Sequence, residues 1–153
     1  MALSDVLVKQ VIIKSDGDVF HDLFGNRPYH ISEMTPDFIK GVDLHHGEWG
    51  IVGSISVWNF THDVKEKVAK EVIEEIDKEK KLVRYKVIGG DILEAYKSFL
   101  VTIHVDTKGE ENVVTWTFHY EKLNESVDDP NSLMDLCLRI TKDIENHHLA
   151  KSN

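Results

Sequence analysis

Residues 112 to 120, NVVTWTFHY, put Val114, Trp116, Phe118 and Tyr120 on one parity and Thr115, Thr117 and His119 on the other. This is the period-two pattern of a strand with one apolar and one wet face. Val83, Tyr85 and Val87 in KLVRYKVI (81–88) and Phe99, Val101, Ile103 and Val105 in SFLVTIHV (98–105) alternate in the same way. FIKGVDL (38–44) and SISVWNF (54–60) read as two more strands, and DTKGEEN (106–112) as a hairpin turn. Together these segments predict an antiparallel meander. Residues 3–14 predict an opening strand with apolar positions on both parities, Leu7, Val11 and Ile13 against Val6, Val8 and Ile12, and hence burial on both faces.

Helical spacing appears in three places. Val19, Phe20, Leu23 and Phe24 predict a short amphipathic helix over Asp16 to Asn26, ended by Gly25-Asn26. RPYHISEM (27–34) reads as a second, with Pro28 tolerated in its first turn and Pro36 stopping it. Leu133, Leu136, Cys137, Ile140 and Ile144 form a stripe along a long helix from about 130 to 149, with Asp129 as cap and Pro130 at its first position. Such a helix is roughly 30 Å long and must bury its stripe against the apolar face of the sheet. DVKEKVAKEVIEEID (63–77) stays open between helix and strand. Its Lys, Glu and Ala favour helix, but Val64, Val68, Val72 and Ile76 recur every four residues, which is also two strand periods.

HHGEWGIVGS (45–54) spaces Gly47, Gly50 and Gly53 evenly, yet no Gly-Lys-Ser/Thr follows and the next segment is strand rather than helix, so a nucleotide cradle is disfavoured. The glycines read as hairpin turns. The 153 residues suit one domain, 1–153, without internal repeats or linkers. With 18 Lys+Arg against 27 Asp+Glu, a formal charge of −9, and no basic run, nucleic acid is a poor partner. Cys137 is the only cysteine, so no intrachain disulfide can form, and its neighbours Leu136 and Leu138 give it a core setting. MALSDVLVKQVIIKS has neither a basic start nor a long apolar stretch, and no run is long enough to span a bilayer, so the expectation is a soluble, cytoplasmic protein. His45-His46 and His147-His148 lack the spacing that suits one metal ion, and neither a metal nor a cofactor is expected.

HHGEWGIVGS…W, AKEVIEEID, YKVIGGDILEAYKSF, VVTWTFHYEKLNE and DPNSLMDL resemble, nearly end to end, the major latex protein branch of the birch pollen allergen superfamily of plants. The resemblance implies an α+β helix-grip fold: a seven-stranded curved antiparallel sheet wrapped around a long C-terminal helix, with two short helices after the first strand. It also implies that 63–77 is a strand, and that a large apolar cavity lies between sheet and helix. The sheet residues expected to line that cavity are Trp58, Phe60, Val68, Tyr85, Val87, Phe99, Val101, Trp116, Phe118 and Tyr120. The helices would add Phe20, Cys137, Ile140 and, at the rim, His30.

Aromatic walls with scattered hydroxyl and indole donors suit a hydrophobic small molecule such as a terpenoid, an alkaloid or a hormone. With Val68 and Val72 inward, Lys70 and Glu74 share their face, as a solvated mouth or a proton-transfer pair, while Glu71 and Glu75 on the other parity read as exposed charge. Tyr85 and Tyr120 could orient a carbonyl or protonate an enolate. Trp49 and Ile51 on the glycine loop would shield or adjust access. Two functions fit: a carrier of a hydrophobic plant metabolite, monomeric or weakly dimeric, or a cofactor-free enzyme guiding cyclisation or isomerisation of a reactive one.

Overall fold

The chain forms a seven-stranded antiparallel sheet in the order β1-β7-β6-β5-β4-β3-β2. The strands are β1 (Ser4–Ile13), β2 (Ile39–His46), β3 (Ile55–His62), β4 (Lys65–Asp77), β5 (Leu82–Gly90), β6 (Tyr96–Lys108) and β7 (Glu111–Lys122). Helix α1 (Gly17–Asn26), a 3-10 turn (Pro28–His30) and the short α2 (Ile31–Met34) follow β1, a second 3-10 turn (Asp91–Glu94) joins β5 to β6, and α3 (Asn131–Lys151) ends the chain. This computed structural model describes residues 3–151; the first two and last two residues of the expected domain, including the Met1-Ala2 start, lie outside the described residues. The expected helix-grip architecture is the one observed.

Local chemistry explains the boundaries. The Asp16 carboxylate caps α1 by accepting from the Asp18 and Val19 N–H groups at 2.8 and 3.1 Å. Phe20, Leu23 and Phe24 are buried along its inner face. From Lys65 on, segment 63–77 is a strand because it is paired to β3 and to β5, and that pairing outweighs its helix-favouring composition. Its register is set by a two-residue turn, Asp63-Val64, in which both residues have positive φ (53° and 67°) between the paired His62 and Lys65. From there Trp58 falls opposite Ala69, and Ser56 opposite Glu71.

Three expectations are corrected. β1 is not buried on both faces: it is an edge strand, with Val6, Val8 and Ile12 about half exposed while Leu7 and Val11 pack on the core. Only one face of the sheet is covered, so the outward parity meets solvent. The 106–112 turn is tighter than expected, since β6 and β7 pair to Lys108 and Glu111 and leave only Gly109 and Glu110 between them. Asp129 does not cap α3 with its side chain. Its carboxylate is held by the Tyr120 hydroxyl at 2.8 Å and the Lys122 ammonium at 3.0 Å, and the first α-helical bond runs from the Met134 N–H to the Pro130 carbonyl.

Candidate functional site

A cavity lies between the inner face of the sheet and α3, open to the centre of a water-sized sphere over about 90 Å³. That is smaller than the large cavity expected, because the bulky side chains meant as its walls pack against one another. Phe24 and Trp116 meet edge to face at 5.6 Å, Trp58 and Tyr85 at 5.8 Å, and Phe99 and Phe118 are tilted at 4.9 Å.

Of the expected lining residues, Trp58 and Phe60 on β3, Tyr85 on β5, Phe99 and Val101 on β6, and Trp116 and Phe118 on β7 all face this space. Cys137 and Ile140 close it from α3. The other five do not. Phe20 is fully buried one layer back, its ring 5.2 Å from that of Phe24, which reaches the cavity in its place. Val87 is buried, but its β4 partner Glu71 is what lines the wall. Tyr120 turns its hydroxyl to Asp129, meets Tyr96 edge to face and stacks on Phe99. His30 is half-buried against the Tyr29 ring, with Nδ1 3.6 Å from Glu33. Val68 points outward, 39% exposed.

The Val68 error is one of parity. Ala69, Glu71 and Ile73 are buried on β4, whereas Val68 and Glu74 are exposed and Lys70 and Val72 only half-buried, so the Lys70/Glu74 face is the outer one. The Asp63-Val64 turn imposes this register, and a slip of one residue exchanges the faces of a whole strand. Leu133 and Leu136, omitted although they sit on the α3 stripe, also line the cavity; so does Ile92, in a 3-10 turn that carries no periodic signal.

Most polar groups around the cavity are bonded within the protein. The Tyr85 hydroxyl donates to the Phe24 carbonyl, which lacks its α-helical partner because the residue four positions on is Pro28 and has no N–H. Burial and the nearby Glu71 push the Tyr85 pKa well up. Trp58 Nε1–H donates to Ser56 Oγ at 3.0 Å, and Trp116 Nε1–H to Thr141 Oγ1 at 2.9 Å. The Thr141 hydroxyl in turn donates to the Cys137 carbonyl at 2.8 Å. Burial, then Glu71, raises the Cys137 thiol, so it is an inert part of the wall.

Glu71 is the exception. It is only 9% exposed, lines the cavity, and burial alone raises its pKa to about 8. Its repetitive, charged neighbourhood gave no sign of this.

An outer cleft of about 330 Å³ on the same measure shares Phe60, Ile92 and Leu133 with the cavity. His62, Lys67, Asp91, Tyr96 and Ser132 make it polar. His62 Nε2 lies 2.9 Å from Ser132 Oγ, and its Nδ1 3.2 Å from the Lys67 ammonium. Burial is the chief reason its pKa is lowered. The glycine loop lines neither space. Trp49 packs on Tyr29 at 5.1 Å and Ile51 is 55% exposed, so neither guards access. The loop instead folds onto the end of α1, where Gly50 meets Asn26. Among the described residues no group of His, Cys, Asp and Glu could hold a metal ion, and no helix is long and apolar enough to cross a membrane.

The sequence profile of the pathogenesis-related protein Bet v 1 family matches residues 2–151. MLP-like protein 34 of Arabidopsis thaliana is 45% identical over 150 residues, covering 97% of this chain and 48% of that protein. The chain spans about half the length of the two Arabidopsis relatives at that identity. The crystal structure of ginseng major latex-like protein 151 from Panax ginseng superposes with a TM-score of 0.95 at 54% identity, covering 97% of this chain and 99% of that one. Norcoclaurine synthase from Thalictrum flavum shares the fold alone, with a TM-score of 0.76 at 20% identity over 95% of this chain and 87% of its own. The chain belongs to the Bet v 1 family and, within it, to the major latex proteins.

Proposed function

We propose that the protein is an intracellular plant protein, one domain over 1–153, that binds a small hydrophobic metabolite of terpenoid, alkaloid or hormone-like character in the cavity under α3. The observation that carries this reading is an apolar, aromatic-walled space whose hydroxyl and indole donors are already bonded internally. Affinity then comes from burying hydrocarbon, at about 25 cal/mol per Å² removed from water. Trp58, Phe60, Phe99, Trp116 and Phe118 form the sheet wall against the guest, and Cys137 and Ile140 the helical one. The modest volume supports a small guest. Tryptophan fluorescence and thermal melting with a panel of monoterpenes test this: saturable quenching with a raised Tm is expected. The absence of both across the panel rejects the reading.

A second reading is a cofactor-free enzyme that folds a reactive terpenoid or alkaloid precursor and guides its cyclisation or isomerisation. It is favoured by a titratable carboxyl, Glu71, in the same cavity, and by the fold shared with norcoclaurine synthase. Incubation with labile iridoid and alkaloid intermediates, followed by product analysis, distinguishes the two. Rates and stereochemistry unchanged from buffer leave the carrier alone.

A further inference from the structure

The polar groups of the cavity wall differ in what they can still offer a guest. Tyr85, Trp58 and Trp116 have each given their donor to a protein acceptor. Glu71, more than nine-tenths buried, has neither a hydrogen bond nor an ion pair at its carboxyl among the described residues. The titratable groups sharing the cavity are Tyr85 from β5 and Cys137 from α3, and both are held neutral by burial. Among the described residues, β3, β6 and β7 contribute no ionisable side chain to the wall, and no Lys, Arg or His lines it. A β-bulge lies beside the site: Lys70 pairs with Gly89 and Glu71 with Val87, so Ile88 is skipped. Bulges of this kind re-aim side chains next to functional sites.

We propose that Glu71 is the polar anchor of the cavity, a neutral carboxylic acid that donates its O–H to a carbonyl oxygen of the guest, so that the favoured ligands are mainly hydrocarbon aldehydes and ketones. This rests on the ligand-binding reading above and deepens it. With its pKa raised to about 8 the acid carries its proton at neutral pH and is a donor. A ketone supplies an acceptor without bringing a charge into the apolar space. An alcohol or amine would find no free acceptor except the acid's own carbonyl oxygen. A carbonyl bonded in this way is also polarised, which is what the enzymatic reading would need from the wall.

The test compares acetophenone with ethylbenzene, which has the same ring and lacks the oxygen, by calorimetry on the full chain. Replacing Glu71 with Met should lower the acetophenone-to-ethylbenzene affinity ratio roughly fivefold or more, the loss of one buried hydrogen bond. Glu71→Gln, whose amide N–H also donates, should keep most of the ratio. In the wild type the ratio should stay level from pH 6 to 7 and fall above about pH 8, approaching tenfold per unit, as the acid loses its proton. In Glu71→Gln it should not change with pH. A ratio unmoved by Glu71→Met, with ethylbenzene still bound, overturns this inference and leaves the carrier reading standing. So does benzylamine binding more tightly than acetophenone with affinity rising from pH 6 to 8, which would make Glu71 a counter-ion. Failure of both neutral probes to bind overturns the carrier reading, and this inference with it.

Discussion

Glu71 destabilises the fold it belongs to, and the sign of that effect is measurable. Its folded pKa of about 8 lies above the ordinary 4.5. Between those values the unfolded chain is ionised while the folded protein still holds the proton, so raising the pH favours unfolding until the penalty is complete above pH 8. The full penalty is on the order of 4–5 kcal/mol. Urea unfolding should therefore find Glu71→Gln close to wild type at pH 4.5 and several kcal/mol more stable at pH 8.5. His21, His62 and His148 act in the opposite direction. Burial lowers their pKa values below 6.5, the unfolded chain protonates first, and stability falls as pH drops through that region. The Glu71→Gln profile should keep this acid limb and lose the alkaline one. Tyr85 is a structural counterpart. Tyr85→Phe leaves the Phe24 carbonyl without a donor above Pro28 and should cost about 1–3 kcal/mol in the same assay. Tyr85 was legible from its alternation with Arg84 and Lys86. Glu71 was not, because in KEVIEEID nothing but register separates it from Glu74 and Glu75.

Register is fixed at the level of the element, and there the chain was read only in part. The strands rich in alternating aromatics, β5, β6 and β7, showed their inner faces in the sequence, since only one parity could be buried. β4 has valines on the parity that faces out and an alanine and a glutamate on the one that faces in, so hydrophobicity pointed to the wrong side. What decides is the Asp63-Val64 turn, whose two positive φ values no composition rule announces. The glycine loop is a converse case: its turn chemistry was legible, and its neighbour was not. Gly50, at φ 82°, lies so close to the Asn26 side chain that any Cβ would collide with it, whereas Gly53, at φ 95°, faces open space. Gly50→Val should thus lower stability by more than the about 1–3 kcal/mol of backbone strain, and Gly53→Val by that strain alone. Melting curves of the two variants give the comparison. Neither change should alter affinity for a cavity guest, because the loop lines neither the cavity nor the cleft.

For the whole molecule, a curved sheet closed by one long helix places an apolar chamber behind a polar cleft, and among the described residues three side chains, Phe60, Ile92 and Leu133, belong to both. The aromatic walls were visible in the alternation of the strands, but the chamber's volume and its mouth were not. Volume depends on how rings from five different elements tilt against one another, and the mouth depends on a 3-10 turn brought next to the start of α3 by the sheet topology. A guest that uses this route must pass those three residues, and none of them is held by a hydrogen bond from its side chain. Phe60 is buried and Leu133 partly exposed, so they have different costs. Truncating Phe60 removes core packing, about 3–5 kcal/mol, and widens the chamber as well as the passage. Leu133→Ala opens the passage with less loss of wall. In stopped-flow binding of a monoterpene, Leu133→Ala should raise association and dissociation rates together, by several-fold each, with little change in Kd. A barrier removed from a path changes both rates equally, whereas a contact removed from the bound state changes dissociation alone. If only dissociation speeds up, Leu133 acts through its contact with the bound guest alone and access lies elsewhere.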